Sequence, residues 1–305
     1  MIRDRGAVVA YLLLTLVMLF WAGNAIVGRA MRADIPPFTF AFLRWTFALA
    51  LLLPLAAPHL KRDRAALAAG WKIVLPLGVL GVGVFNGFLY LGLHYTNATN
   101  AMLLQAATPA GVLLMDRLLF AQRAPATRIL GIVLSTLGVV VVVIRGDIGV
   151  IAGLKFGFGD MLVLAAVLAW SLYTSLLRAK PSVNPLSLLS ATFLIGALCM
   201  APFAAGEWVA GMRPRVDQDV IAAVFYVAIF PSTLSFLMFN RAVGQIGAGR
   251  AGQTISLMPL FGAVIAAAAL NEPLHDYHLA GMVLIFGGIA FALWMERRGT
   301  IGAGE

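Results

Sequence analysis

Residues 91–109 read LGLHYTNATNAMLLQAATP, and residues 244–259 read GQIGAGRAGQTISLMP. Each stretch places amides and hydroxyls among small residues and ends on a proline, in a chain that is otherwise strongly apolar. A shift of 150 residues without a gap places Pro109 on Pro259. The same shift pairs Ala98 with Ala248, Ala101 with Ala251, Gly131 with Gly281, Val133 with Val283, Leu134 with Leu284 and Gly138 with Gly288. The chain therefore resembles two copies of one unit.

The composition predicts whether the chain lies in water or in a membrane. Hydrophobic residues make up 61% and charged residues 11%, with a mean hydropathy of +0.94, so a bilayer is expected. Runs such as LGVVVVVI (137–144) do not alternate, which favours membrane helices over a β-barrel. A spanning helix needs about 20 apolar residues. Ten stretches qualify: 7–29, 37–57, 71–93, 98–119, 128–145, 159–177, 185–205, 217–239, 248–270 and 278–295.

Ten helices divide into two units of five. A shift of 149 residues sets Trp21 on Trp170 and Arg29 on Arg178, which extends the repeat to the first helix. Because five is odd, the second unit begins on the opposite side of the membrane, so the two units are inverted. The predicted fold is an all-α integral membrane protein of ten transmembrane helices, with one repeat over 1–146 and an inverted repeat over 147–305.

The distribution of positive charge predicts the orientation. The net charge is +9, which in a soluble protein would suggest nucleic acid as a partner. With the N-terminus inside, 15 of the 22 Lys and Arg lie on the cytoplasmic side, six lie outside and Arg44 lies within a span. This asymmetry follows the positive-inside rule. We expect both termini in the cytoplasm, lipid around the chain and no nucleic-acid partner.

Several stretches resemble the ten-helix drug/metabolite transporter superfamily and, within it, the EamA group of metabolite exporters. They are FWAGNAIVGR (20–29), YLGLHYTNATNAMLL (90–104), GDMLVLAAVLAWSLYTSLLR (159–178) and FNRAVGQIGAGRAGQTISLMPLFG (239–262), followed by NEPL and GMVLIFGG. The resemblance covers essentially the whole chain. It implies a carrier in the bacterial inner (plasma) membrane that exports small organic solutes, often amino acids, and it does not select the substrate.

Polar and amphipathic side chains within spans are the candidate substrate ligands, because such groups in hydrocarbon face protein or a water-filled path. For the serine, a hydrogen bond to its own helix is the alternative role. For Trp and Tyr, anchoring at the membrane interface is the alternative. The predicted substrate-binding set is Trp21, Asn24, Asn86, Tyr90, Gln105, Trp170, Tyr173, Ser232 and Gln253. If their helices surround one space, these side chains converge.

Arg44 is the basic residue in mid-span, and two roles are open for it. It could hold a substrate carboxylate, or it could tie its helix to backbone carbonyls of a neighbouring helix. We expect the structural role, because the counterpart region 193–195 carries no charge. Pro109, Pro231 and Pro259 fall within the predicted spans, where a proline removes a backbone donor and kinks a helix. They are expected to shape the bundle or to act as hinges.

Acidic residues are missing from the middle of every predicted span, so the sequence contains no carboxylate relay of the kind that proton-coupled pumps use. Facilitated diffusion or exchange by alternating access is the simpler hypothesis, with rocking of the two halves. Aromatic or other apolar amino acids suit the aromatic side chains. Nucleotide-linked sugars and cationic drugs are the alternative solutes, although the first would need several cations and the second a buried acid.

An enzyme is the alternative from another class. The chain has no H-E-x-x-H, C-x-x-C, P-loop or G-x-S-x-G motif, so neither catalysis nor a metal or other cofactor is expected. We expect a monomer, with a homodimer as the open alternative.

Overall fold

The computed structural model describes residues 2–96, 101, 104–105, 107–144, 146–149, 157–270 and 275–301. These residues form helices and connecting turns, and none of them lies in a strand. The helices are α1 (Ile2–Ala30), α2 (Pro37–Ala69), α3 (Trp71–Tyr95), α4 (Thr108–Phe120), α5 (Ala126–Val143), α6 (Phe158–Leu176), α7 (Pro185–Val209), α8 (Gln218–Ile246), α9 (Ala248–Leu270, in three segments) and α10 (Asp276–Ile301).

The predicted all-helical membrane fold is confirmed. Within the described residues, six helices are long and apolar enough to cross a bilayer, namely α1, α2, α3, α6, α7 and α8. Helices α5 and α10 carry shorter apolar stretches, Ala126–Val141 and Asp276–Ala292. Helix α9 is divided into Ala248–Gln253, a 3-10 turn over Thr254–Leu257, and Met258–Leu270.

Several helices extend beyond the predicted spans. Helix α2 was expected to end at residue 57, yet it continues to Ala69 and stops at Gly70. Hydropathy marks where the hydrocarbon ends, whereas helices end where capping and backbone conformation require it. After Pro58, residues 60–69 are rich in Ala, Leu, Lys and Arg, which are strong helix formers, so the helix continues into the polar region.

Helices α3 and α8 share an uncommon feature. Each contains a seven-residue π-helical segment, Gly78–Val84 in α3 and Ala228–Leu234 in α8, and the two begin 150 residues apart. In α8 the hydroxyls of Ser232, Thr233 and Ser235 donate to the carbonyls five residues earlier. π segments are rare and occur mostly at functional sites. The repeat that the sequence predicts is thus accompanied by a local distortion at matched positions.

Helices α1 and α6 each pack against helices from the opposite half of the sequence. Helix α1 packs mainly on α8 and α9, and α6 packs mainly on α3 and α4. The π segment of α3 lies against α7, and that of α8 lies against α2. We distinguish two bundles, the α3 bundle (α3, α4, α6, α7) and the α8 bundle (α1, α2, α8, α9), which pack on each other extensively along α2 and α7. Each bundle contains helices from both halves of the sequence.

Helices α5 and α10 cross closely through small residues. A side chain added at Gly138 would lie 2.8 Å from the carbonyl oxygen of Gly281, and one at Gly131 would lie 2.7 Å from that of Gly288. The Ser135 hydroxyl donates to the Ile285 carbonyl at 3.3 Å. The residue number increases along α5 where it decreases along α10, so the two helices run antiparallel.

Carboxylates join α2 and α7 at both ends. Glu207 near the end of α7 accepts from the backbone N–H groups of Phe38 and Thr39 at 2.9 and 2.7 Å, and from the Thr39 hydroxyl at 2.7 Å. Asp63 near the end of α2 accepts from Asn184 N at 2.8 Å and from Ser187 Oγ at 2.8 Å. Each carboxylate satisfies free N–H groups at the start of the partner helix.

Candidate substrate site

Arg44 is the one buried Lys or Arg among the described residues, with 2% of its surface exposed. It lies on α2, two turns after the start of the helix. None of the ion pairs in the described part of the chain includes Arg44. A buried cation without a counter-ion is energetically unfavourable unless hydrogen bonds compensate its lost hydration. Its neighbours therefore define the site.

Four neutral side chains from three helices surround the Arg44 guanidinium. Nε donates to Ser232 Oγ at 2.5 Å. Nη1 donates to Asn24 Oδ1 at 3.1 Å, Asn86 Oδ1 at 3.1 Å and Tyr90 Oη at 2.8 Å. The Tyr90 hydroxyl also donates to Asn24 Oδ1 at 3.2 Å. We call this group the Arg44 cluster; because Asn86 and Tyr90 belong to α3, it links the α3 bundle to the α8 bundle.

The partners of Arg44 differ from those that the sequence predicts for a structural tie. We expected backbone carbonyls of one neighbouring helix as partners, whereas its partners are side-chain oxygens from α1, α3 and α8. The Nη2 group of Arg44 makes no hydrogen bond to any described residue. The guanidinium thus keeps a free donor edge.

A second buried side-chain contact links the two bundles, besides the carboxylate contacts between α2 and α7. The Tyr173 hydroxyl on α6 donates to Asn240 Oδ1 on α8 at 2.7 Å, and both residues are buried. Tyr173 is the repeat counterpart of Asn24 at a shift of 149, and Asn240 is that of Tyr90 at a shift of 150. The same Asn–Tyr pair therefore occurs twice, with its members exchanged. We call the second pair the Tyr173 bridge.

The two contacts lie at different depths. A side chain at Gly92 of α3 would meet the start of α6 at Val163, whereas one at Gly81 would meet the Tyr173 ring. Helices α3 and α6 are therefore antiparallel, with Tyr173 level with Gly81. Arg44 bonds Asn86 and Tyr90, which lie five and nine residues after Gly81 on α3. The Arg44 cluster therefore lies about one to three helical turns further along α3 than the Tyr173 bridge.

Aromatic rings fill the region between the two contacts. The Trp170 ring lies 4.8 Å from Phe85, which places it between Gly81 and Tyr90 along α3, and 5.0 Å from Trp21 on α1. The Trp45 ring links this region to Arg44, because the Arg44 guanidinium lies 4.7 Å from the Trp45 ring centroid. We define the aromatic cluster as Trp21, Trp45, Phe85, Trp170, Tyr173, Phe236 and Phe239.

Indole N–H groups in the aromatic cluster differ in their partners. Trp21 Nε1 donates to the Pro231 carbonyl in the π segment of α8 at 3.0 Å. Trp45 Nε1 and Trp170 Nε1 are buried and have no hydrogen-bond partner. A buried donor without an acceptor costs about 1 to 3 kcal/mol. Unpaired donors of this kind are candidate contacts for a bound molecule.

The two glutamines of the predicted set lie elsewhere. Gln105 is partly buried and donates to the carbonyl of Ala101, four residues earlier, at 3.4 Å. Gln253 donates to the Gly288 carbonyl of α10 at 3.4 Å. Neither contacts the Arg44 cluster. Residues 97–100 of the opening stretch lie outside the described residues.

The prolines also differ from the prediction of kinks within continuous spans. Pro109 is the second residue of α4, and Pro259 is the second residue of the last segment of α9. In the first turn of a helical segment the missing N–H of proline is tolerated. Pro259 directly follows the 3-10 turn of α9, Thr254–Leu257. Pro231 lies inside the π segment of α8, where its carbonyl accepts the Trp21 indole. Pro231 and Pro259 therefore both accompany an irregular stretch of helix.

Sequence reasoning left Asn240 and Trp45 out of the predicted site. The shift of 150 that pairs Asn240 with Tyr90 was the available signal for the first. Trp45 gave no such signal, because a Trp next to an intramembrane Arg is equally consistent with packing against lipid.

These features together define a helical membrane transporter: interlocked bundles of apolar helices with one buried cation and an aromatic cluster between them. The sequence profile described as the EamA-like transporter family matches residues 8–144 and, a second time, residues 157–294. The chain belongs to the EamA-like transporter family.

Similar proteins agree with this assignment. A Bacillus subtilis protein named uncharacterized transporter YetK is 28% identical over 291 residues, covering 92% of this chain and 85% of the relative. An Archaeoglobus fulgidus protein named uncharacterized transporter is 29% identical over 281 residues, covering 92% and 95%. A solved crystal structure aligns with a TM-score of 0.75 at 20% identity, over 97% of this chain and 98% of the other, and supports the fold alone.

Proposed function

We propose that the protein exports small organic metabolites that carry a carboxylate, among them amino acids with apolar or aromatic side chains, across the bacterial inner membrane. The observation that carries this proposal is the buried Arg44 guanidinium, which has neutral partners and a free Nη2. Guanidinium and carboxylate match in geometry and charge. The aromatic cluster next to Arg44 suits an apolar side chain.

The alternative solutes fit the described residues less well. A nucleotide-linked sugar presents two phosphates, for which several cations are expected, and Arg44 is the only buried Lys or Arg described. A cationic drug calls for a buried carboxylate. The buried described acids Asp116, Asp160 and Glu207 are each held by hydrogen bonds or an ion pair near helix ends.

The mechanism we propose is alternating access, with the α3 bundle rocking against the α8 bundle. The rocking units differ from those of the sequence prediction, because α1 and α6 pack outside their own halves. The Arg44 cluster and the Tyr173 bridge link the two bundles at different depths. Because α2 and α7 are also joined at both ends by Glu207 and Asp63, the bundles would rock about the α2–α7 contact. Breaking the Arg44 cluster while the Tyr173 bridge persists, or the reverse, would then open the site toward one side at a time.

We further infer that residues 1–146 and 147–305 are inverted repeats. Three features support this inference: the double match of the family profile, the π segments that begin 150 residues apart, and the antiparallel crossing of α5 and α10. With cytoplasmic termini, the Arg44 cluster lies toward the outside and the Tyr173 bridge toward the cytoplasm. A monomer holds all of these contacts.

Uptake of labelled amino acids into proteoliposomes tests the proposal. We expect saturable uptake of phenylalanine, tryptophan and leucine that does not require a pH gradient. The Arg44→Gln variant should lose at least about tenfold in kcat/KM, since one charge-assisted hydrogen bond contributes about 1.5 to 3 kcal/mol. Arg241→Gln, which removes an exposed arginine of α8, is the matched control. Absence of uptake across the panel, or equal rates in the native protein and Arg44→Gln, would refute it.

A further inference from the structure

The geometry points to an aromatic monoanion, such as an aromatic 2-oxo acid, as the preferred solute over the corresponding zwitterionic amino acid. This inference rests on the proposed transport function. It concerns which charge state of the solute the site favours and therefore how the membrane potential acts on export.

The first argument is the charge of the site. Arg44 makes no ion pair, and its partners Asn24, Asn86, Tyr90 and Ser232 are all neutral. A bound monocarboxylate would neutralise this buried charge. A zwitterion would bring an ammonium group as well, leave the net charge of the site positive, and place two cations close together in a medium of low dielectric constant.

The second argument is the kind of hydrogen-bonding groups that lack partners within the Arg44 cluster and the aromatic cluster. Arg44 Nη2, Trp45 Nε1 and Trp170 Nε1 are all donors without an acceptor among the described residues. Indole N–H and guanidinium groups cannot accept hydrogen bonds. A solute that supplies oxygen acceptors, a carboxylate and a keto oxygen, would satisfy these donors. An ammonium group would add three further donors to the same region.

The third argument is what would receive that ammonium group. Asn24 Oδ1 already accepts from Arg44 and from Tyr90, and Asn240 Oδ1 accepts from Tyr173. The described carboxylates lie near helix ends, where Glu207 accepts from the start of α2 and Asp116 pairs with Arg178. The described site therefore offers an amine no anionic partner.

Transport of a monoanion has an energetic consequence. Because the empty carrier returns to its starting state, the net charge moved in one cycle is the charge of the solute. An inside-negative potential drives an anion outward, by a factor of about 50 in its concentration ratio for every 100 mV. Export of this solute therefore needs no proton relay, in agreement with the absence of acidic residues from the predicted mid-span positions.

The test compares phenylpyruvate, phenylalanine and phenethylamine, which share one aromatic skeleton and differ in charge. Uptake is measured into proteoliposomes that contain no solute at the start, and valinomycin with a potassium gradient sets the membrane potential. Protein-free liposomes correct for passive leak of the solute. We expect kcat/KM for phenylpyruvate to exceed that for phenylalanine about tenfold or more, with phenethylamine not carried. Phenylpyruvate uptake should rise with an inside-positive potential, and phenylalanine uptake should not.

Variants separate a substrate contact from a structural role. Arg44→Gln should lower the ratio of phenylpyruvate to phenylalanine kcat/KM about tenfold, a change that loss of folded protein alone would not produce. Trp170→Phe keeps the ring and removes the unpaired donor, and it should lower the same ratio about two- to fivefold. The dependence of phenylpyruvate uptake on membrane potential is measured on the native protein. This part of the test therefore remains valid even if Arg44→Gln fails to fold.

The outcomes distinguish this inference from the proposed function. Equal or faster transport of phenylalanine, with no effect of potential on phenylpyruvate uptake, would overturn the preference for a monoanion and leave export of amino acids in place. Transport of phenethylamine alone, or of none of the three, would overturn both.

Discussion

Replacing Tyr173 by Phe removes one hydroxyl and retains the ring that packs against Trp170 at 4.9 Å. The lost hydrogen bond to Asn240 Oδ1 is 2.7 Å long and joins the α3 bundle to the α8 bundle. In the closed arrangement Asn240 is 6% exposed and would lose its donor, whereas after opening, water would replace it. The substitution should therefore destabilise the closed state selectively.

The magnitude follows from the energy of one buried hydrogen bond, about 1 to 2 kcal/mol. If this energy holds the Tyr173 side closed, its loss should raise the population of the open state about 5- to 30-fold. Access of a reagent to the buried face of α8 should rise by the same factor, as long as opening is faster than the reaction.

Cysteine labelling measures this population. Cys199 is the single cysteine of the chain, so Cys199→Ala provides the background. Val243 lies one turn after Asn240 on the same face of α8 and is 5% exposed, so Val243→Cys reports opening. Arg241 is the exposed neighbour, and Arg241→Cys is the control for the reactivity of the reagent. It should be labelled at the same rate with and without Tyr173→Phe. Equal labelling at position 243 with and without Tyr173→Phe would refute the idea that this bridge holds the bundles together.

Two further predictions concern stability. Glu207→Gln should lower the free energy of unfolding by about 2 kcal/mol, because the buried carboxylate accepts three hydrogen bonds at the start of α2. Asp219 is exposed, and Asp219→Asn should leave the free energy of unfolding nearly unchanged. Thermal unfolding measures both variants. Gly288→Ala should cost about 1 to 3 kcal/mol, since the added carbon would lie 2.6 Å from the Gly131 carbonyl oxygen. Gly287→Ala meets nothing within 4 Å and is its control. Equal melting temperatures within either pair would contradict the packing described.

The sequence predicted the helical membrane fold because a bilayer leaves few alternatives for an apolar chain. It also indicated four of the five members of the Arg44 cluster as substrate ligands, because amides and hydroxyls are expensive to bury without a purpose. It could not predict the exchange of α1 and α6 between bundles, since hydropathy carries no information about which helices pack together. It likewise misplaced Gln105 and Gln253, whose chemistry equals that of Asn24 while their neighbours differ.

The positions at which the two sequence halves differ are as informative as the positions that they share. The Asn–Tyr pair is kept in both halves, so two equivalent links between the bundles exist at different depths. At Arg44 and Asn86, however, the counterparts are Phe193 and Phe236, whose rings lie 5.7 Å apart. In the proposed mechanism the repeated Asn–Tyr pairs would be the contacts that break in turn, and the unrepeated residues would give the site one charged end and one aromatic end. A solute with one carboxylate and one apolar group would bind in a single orientation, with its charged end at Arg44 whichever side is open.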